Sequence, residues 1–162
     1  MQIDLTKLGQ PEGETSPKPK KRRGLINLFS VVLLLVLLFL VFFYQNFQTV
    51  QVSGESMLPT FHNGQRILIC KALWLVGPLQ KRDIVVIKGE AAGEYIVKRV
   101  AYLEGDEVDY VNQPSNWDAS QGKFVVPNGT VYVLGDNEEV SEDSRIFGPV
   151  SLSRVVGKVL GD

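Results

Sequence analysis

Few residues in this 162-residue sequence are placed to perform covalent chemistry, and the first of them is a serine. Ser56 lies in the run SGESMLPT (residues 53–60), whose glycine and proline are typical of a turn. A serine hydroxyl becomes a nucleophile only when a neighbouring base takes its proton. The one imidazole of the chain, His62, follows in a second turn-like stretch, so a Ser-His pair is one alternative and a Ser-Lys pair is another.

Lys98 has the sequence setting that best suits a catalytic base. In the run Tyr95–Val100, strand alternation places Ile96, Lys98 and Val100 on one face. Lysine rarely occupies an apolar face unless it is paired or functional, and burial lowers its pKa by disfavouring the charged form. A neutral amine can then deprotonate a serine. A lysine that snorkels at a sheet edge would give the same pattern without any chemistry.

Two further runs combine charged and polar residues. RDIVVIK (residues 82–88) is typical of a turn that leads into a buried strand. GDNEEVSEDSR (residues 135–145) is either a solvated loop or a source of hydrogen bonds that orient a buried lysine.

Strands are the elements predicted to hold these residues. Strand-like runs follow residue 45 at Arg66–Lys71, Asp83–Lys88, Glu94–Tyr102, Val131–Leu134 and Arg154–Leu160. Residues 124–126 and 131–134 flank the turn sequence PNGT, which predicts a β-hairpin. Because no long amphipathic helix follows residue 45, residues 45–162 are predicted to form a mainly β domain with a curled or barrel-like sheet.

A single transmembrane helix is predicted in front of this domain. Residues 25–44 form a 20-residue apolar run, which at about 1.5 Å per residue spans a bilayer core of roughly 30 Å. The run is apolar on every face, unlike a helix that covers a soluble core. Residues 45–50 lack the small side chains of an export cleavage site, so the helix is predicted to remain as an anchor in a lipid bilayer.

Charge predicts how the anchor is oriented. The net charge is −1, but five basic residues lie together just before the apolar run: Lys18, Lys20, Lys21, Arg22 and Arg23. Cytoplasmic flanks carry the Lys/Arg excess, so the N-terminus is predicted to be cytoplasmic and the β domain extracytoplasmic, at a plasma or thylakoid-type membrane. Residues 1–24 are rich in Pro, Gly, Lys and Glu and predict a disordered cytoplasmic tail.

Composition excludes several classes of site and partner. One cysteine, Cys70, permits no intrachain disulfide, and one cysteine with one histidine cannot build the usual zinc sites, so no metal or cofactor is predicted. The basic cluster does not recur along the chain, so nucleic acid is not a predicted partner. Residues 72–79, ALWLVGPL, are too short to span a bilayer and are either a buried loop or a surface in the membrane interface. The oligomeric state is left open.

Taken together and in this order, the four clusters resemble the conserved boxes of the type I signal peptidases, from about Val50 to Gly148. By this resemblance Ser56, in a Ser-Met-x-Pro motif, is the nucleophile and Lys98, in a Lys-Arg pair, is the general base. The resemblance also implies supporting residues: Ser141 to orient the lysine, Asp143 with Arg145 as one ion pair, and Asp136 with Arg99 as another.

The same resemblance implies an oxyanion hole and substrate contacts. Gly54 stands where some relatives place a second serine as an oxyanion donor, so the hole near Gly54 and Ser56 is expected to use the backbone N–H of Ser56. Met57 and Pro59 of the motif are expected to contact substrate. Arg82 takes the glycine position of the family's Arg-Gly-Asp element.

The implied activity is that of a membrane-bound serine endopeptidase. It would cleave signal peptides from exported preproteins after Ala-x-Ala-like sites, through an acyl-enzyme formed by a Ser-Lys dyad. Two alternatives remain at this point. One is a membrane-tethered, non-enzymatic β-domain that binds a partner; the other is a self-cleaving Ser-Lys regulator of the related repressor class, whose members are soluble and carry no anchor.

Overall fold

The computed structural model of the chain describes residues 27–91 and 93–161, so the predicted tail, residues 1–24, and the first two residues of the predicted transmembrane run lie outside the described residues. The chain divides into two compact units, Met1–Val36 and Leu37–Asp162. Most of the regular structure after residue 46 is β-strand, which confirms the prediction of a mainly β domain.

Helix α1 runs from Leu28 to Asn46 and is the apolar helix of the sequence prediction. Its 19 residues have a mean hydropathy of 2.7 and none of them is buried against protein, so by length and composition it can cross a membrane. It extends past the predicted end at Tyr44, because the Asn46 side-chain amide donates to the carbonyl of Phe42 at 2.8 Å and closes the last turn.

Within the described residues, one sheet contains all the strands: β1 (Phe47–Gln51), β2 (Arg66–Cys70), β3 (Ile84–Lys88), β4 (Tyr95–Tyr102), β5 (Thr130–Leu134), β6 (Val150–Ser151) and β7 (Val155–Val159). Their order is β1-β2-β7-β3-β4-β5-β6, and every neighbouring pair is antiparallel. Register shifts in the β3–β7 and β4–β5 pairs bend the sheet into a curled form. Strand β7 joins the β1–β2 hairpin to the β3–β4 hairpin.

Strand β3 is buried on both faces, which explains its unbroken apolar sequence. Ile84 and Val86 belong to one hydrophobic cluster, while Val85 and Ile87 belong to a second cluster on the opposite face. The strand therefore anchors two cores at once. Because residues 95–99 of β4 pair with β3, alternate residues of this part of β4 are directed into each of these environments.

The sequence predicted β2, β3, β4, β5 and β7 to within one or two residues, and the structure confirms them. It did not predict β1 or the two-residue strand β6. The predicted hairpin between residues 124–126 and β5 is wrong. The edges of β5 are taken by β4 and β6, and residues 124–126 instead pair with the segment 105–108.

Most of the apolar segment 72–79 lies at the surface, although Ala72 is buried and Leu79 packs against the core cluster of Val85. It contains a one-turn helix, α2 (Leu73–Val76), in which Trp74 is 75% exposed. The Trp74 ring meets the ring of Phe42 edge-on, with centroids 6.3 Å apart.

Candidate active site

Strand β4 places Lys98 inside the domain. Its register partner on β3 is Val85, so Lys98 shares the face of the core cluster that contains Val85 and Val100. Only 3% of Lys98 is exposed. The amine Nζ donates to the Ser141 hydroxyl oxygen at 3.1 Å, and within the described residues it makes no other hydrogen bond.

This environment lowers the pKa of Lys98. Burial lowers the pKa of Lys98 below its ordinary value of 10.5, because the ammonium ion loses its hydration. The carboxylates of Asp143, Glu142 and Asp136 raise the pKa, and the Arg145 guanidinium lowers it. Desolvation outweighs the nearby carboxylates, so the structure holds a lysine that loses its proton more readily than a solvated one.

Ser56 lies in the turn between β1 and β2, is half-buried, and lines the same cavity as Lys98. The cavity has a volume of about 410 Å³ and is lined by Gly54, Glu55, Ser56, Ile96, Lys98, Val140 and Glu142. The Ser56 hydroxyl makes no hydrogen bond within the described residues, and neither does its backbone N–H. The cavity is therefore lined by a serine whose hydroxyl and backbone N–H have no hydrogen-bond partner within the described residues and by a lysine that is almost fully buried.

Arg99, the next residue of β4, faces the opposite side of the sheet and binds the loop at residues 135–145. Its guanidinium binds the Asp136 carboxylate through two hydrogen bonds of 2.7 Å each. The Thr60 hydroxyl donates to the same carboxylate at 2.5 Å. Burial would raise the pKa of Asp136, but the hydrogen bonds from Arg99 and Thr60 outweigh it and hold the pKa below its ordinary value. These hydrogen bonds connect three segments: strand β4, the loop at 135–145, and residues 53–60 between β1 and β2, which we call the serine turn.

Asp143 and Arg145 form a second two-bond pair inside that loop. The Asp143 side chain is fully buried and accepts from Arg145 Nε and Nη2 at 2.9 and 2.8 Å. It also accepts from the backbone N–H of Gly135 at 3.0 Å and caps the one-turn helix α3 (Ser144–Phe147). Burial would raise the pKa of Asp143, but the hydrogen bonds from Arg145 and Gly135 hold it below its ordinary value.

Gly135 allows the serine turn and Ser141 to approach each other closely. The sequence did not reveal that glycine is required at this position. A Cβ on this residue would lie 2.6 Å from the carbonyl oxygen of Ser56 and would collide with the Ser141 hydroxyl. Any larger residue would therefore push the serine turn away from Ser141, which accepts the hydrogen bond of Lys98. The signal in the sequence is the Gly-Asp pair at the end of β5, which turn chemistry alone also explains.

The other predicted site residues have different environments. Gly54 has a φ of 92°, a conformation that favours glycine, and its N–H donates to Asn63 at 3.2 Å, so it is not available to an oxyanion. Met57 is 1% exposed and belongs to the core, while Pro59 lines a different cavity of about 710 Å³ beside Arg99. Substrate contacts of Met57 and Pro59 stay predictions.

The imidazole of His62 is exposed and makes no hydrogen bond within the described residues. It does not line the cavity that Ser56 and Lys98 share. The geometry therefore favours the lysine over the histidine as the base for Ser56.

Comparison with known proteins adds to this geometry. The model of the family described as signal peptidase, peptidase S26, matches residues 23–115 and 113–160. Signal peptidase I of Bacillus caldolyticus is 32% identical over 170 residues, which cover 88% of this chain and 91% of that protein. Signal peptidase IB of Staphylococcus aureus (strain COL) is 33% identical over 140 residues, which cover 67% of this chain and 73% of that protein. Among solved structures, a signal peptidase I from Enterococcus faecalis V583 is 27% identical with a TM-score of 0.41, and the match covers 52% of this chain and 98% of that one.

Proposed function

This chain belongs to the signal peptidase family, peptidase S26, and is a type I signal peptidase, a serine endopeptidase; we propose that Ser56 is its nucleophile and Lys98 its general base. The observation that carries this assignment is the burial of Lys98, 3% exposed, in a cavity that it shares with Ser56. The family match removes the two alternatives, a non-enzymatic tethered domain and a self-cleaving regulator.

The proposed reaction is acyl transfer in two halves. Neutral Lys98 takes the proton of the Ser56 hydroxyl as its oxygen attacks the carbonyl before the scissile bond. The unoccupied N–H of Ser56 donates to the oxyanion that develops. The protonated lysine then returns its proton to the leaving amine, and an ester joins the signal peptide to Ser56. Water, deprotonated by Lys98, hydrolyses this ester and regenerates the hydroxyl.

The supporting residues are proposed to position this pair. Ser141 holds the amine of Lys98 without adding charge, since a hydroxyl is neutral. The Asp143–Arg145 pair fixes the loop that carries Ser141, and the Asp136–Arg99 pair fixes that loop against β4. Each pair is bidentate, with two parallel hydrogen bonds from one guanidinium to one carboxylate, and such pairs fix the relative orientation of the two side chains as well as their distance.

The function is tested by incubating the purified full-length chain in detergent with a preprotein that carries an Ala-x-Ala site. We expect one new product whose mass corresponds to cleavage directly after the second alanine. The control is the same preprotein with that alanine changed to a large residue, which we expect to remain intact. Absence of cleavage with a folded sample, or cleavage at unrelated positions, would contradict the proposal.

The anchor and its orientation complete the proposal. Helix α1 is proposed to cross the bilayer with residues 1–24 in the cytoplasm, because the basic cluster precedes it. Residues 45–162 then form the extracytoplasmic protease domain, on the side where signal peptides emerge. Tethering raises the effective concentration of the protease at its membrane-bound substrate.

Single-cysteine labelling tests this orientation. Cys70 is buried, so the native chain provides a low background for a membrane-impermeant maleimide. We expect Asn128→Cys, at an exposed turn, to be labelled in intact cells, and Ser16→Cys, in the N-terminal segment, only after lysis. The reverse pattern would show that the chain is inserted in the opposite direction.

A further inference from the structure

Asn137 contacts the serine turn through two hydrogen bonds. Its backbone N–H donates to the carbonyl oxygen of Ser56 at 3.0 Å. Its side-chain amide Nδ2 donates to the carbonyl oxygen of Glu55 at 3.2 Å. One residue of the loop at 135–145 therefore binds the two consecutive carbonyls that flank the proposed nucleophile.

These bonds fix the direction of the N–H that would receive the oxyanion. In a trans peptide the carbonyl oxygen and the following N–H point to opposite sides of the chain. The Glu55 carbonyl is held by Asn137 and by the backbone N–H of Leu58 at 3.1 Å, so the N–H of Ser56 points away from Asn137. That N–H has no acceptor within the described residues.

The neighbouring residues do not supply this restraint. Asn63 binds the turn one residue earlier, at the N–H of Gly54. Thr60 and Arg99 hold Asp136, the residue before Asn137, and so bring the loop to the turn without touching the peptide of Ser56. The orientation of the Glu55–Ser56 peptide therefore depends on Asn137 and on the turn itself.

We propose that Asn137 is a positioning residue that orients the Ser56 N–H as the oxyanion donor of the signal peptidase reaction. This inference rests on the proposed role of Ser56. Its consequence is kinetic. Stabilisation of an oxyanion acts in the transition state and hardly at all on the bound substrate, so Asn137 should affect kcat rather than KM.

The experiment measures kcat, KM, thermal stability and the pH profile of the full-length chain with a short peptide that contains Ala-x-Ala. Asn137→Ala removes the side-chain bond and adds no charge, and Asn137→Asp keeps the shape but replaces the donor with an acceptor. Asn128→Asp, the same change at an exposed turn away from the cavity, is the matched control. Ser56→Ala serves as the inactive reference.

We expect both Asn137 variants to lose about 10- to 100-fold in kcat, the loss that small misplacements of reacting groups cause. KM and the melting temperature should stay close to those of the wild type, and in Asn137→Ala the pH midpoint assigned to Lys98 should not move. Asn128→Asp should match the wild type.

Three results would overturn the inference: a wild-type kcat in both variants, a raised KM with unchanged kcat, or a melting temperature lowered in proportion to activity. The last would assign Asn137 to stability alone. Failure of the underlying function looks different, because the wild type would then be inactive or Ser56→Ala would still turn over.

Discussion

Replacing Ser56 with alanine is expected to abolish cleavage, lowering kcat by about 10⁴-fold or more, as loss of a covalent nucleophile does. Ser56 carries the one hydroxyl among the residues that line the cavity, and the Ser141 hydroxyl, which accepts from Lys98, is buried behind that lining. The fold should survive. The Ser56 hydroxyl makes no hydrogen bond within the described residues, and substitutions at such positions usually change the free energy of unfolding by less than about 0.5 kcal/mol.

The measurement is turnover of the Ala-x-Ala peptide beside a thermal melt of the same sample. Ser53→Ala is the matched control, because it is the same change at an exposed position of the same turn. We expect it to keep full activity. Turnover by a well-folded Ser56→Ala sample would remove Ser56 from the mechanism.

Lys98→Met and Lys98→Arg are both expected to abolish turnover. Methionine fills the space without a basic amine, and the guanidinium of arginine stays protonated and cannot accept the proton of Ser56. The wild-type rate should rise with pH along a single limb, because only the neutral amine is active. Since burial lowers the pKa of Lys98, that limb should lie below the ordinary lysine value of 10.5.

The same pKa shift predicts how stability depends on pH. The folded protein binds fewer protons at Lys98 than the unfolded chain does between the lowered pKa and 10.5, so the free energy of unfolding should increase with pH across that window. Lys98→Met lacks this dependence. Its stability relative to the wild type should therefore be greatest on the acidic side of the window and should decline as the pH approaches 10.5.

His62→Ala is the control for the identity of the base. The exposed position of His62 predicts that this variant keeps both the rate and the rising limb of the wild type. A limb centred near about 6.5 that disappears in His62→Ala would instead assign proton transfer to the imidazole.

Local pattern was enough to predict the setting of the lysine. Alternation along β4 separates Lys98 from Arg99, and the structure places them on opposite faces, one with the Val85 cluster and the other with Asp136. Such alternation is a property of any strand, so it requires no knowledge of the rest of the sheet. This is why the alternation within a six-residue run correctly predicted which face of the strand carries Lys98.

Pairing between distant segments was not predictable in the same way. The sequence PNGT did form a turn, with the N–H of Thr130 donating to the carbonyl of Pro127, but the strand before it pairs elsewhere. Turn residues determine local backbone direction, while the choice of partner depends on which sheet edges remain open. The contacts of Asn137 with the serine turn and the close approach at Gly135 depend in the same way on how the whole domain assembles.

The position of β7 in the sheet bears on how the domain is assembled during its own synthesis. Strand β7 pairs with β2 on one side and with β3 on the other. It therefore joins the β1–β2 hairpin, whose connection contains Ser56, to the β3–β4 hairpin, which contains Lys98. Both hairpins leave the ribosome before it does. A nascent chain that has emerged only as far as the loop at 135–145 already contains every proposed catalytic residue but lacks the strand that joins the two halves. Within the described sheet, the hairpins that contain Ser56 and Lys98 therefore become neighbours through the strand that is synthesised last.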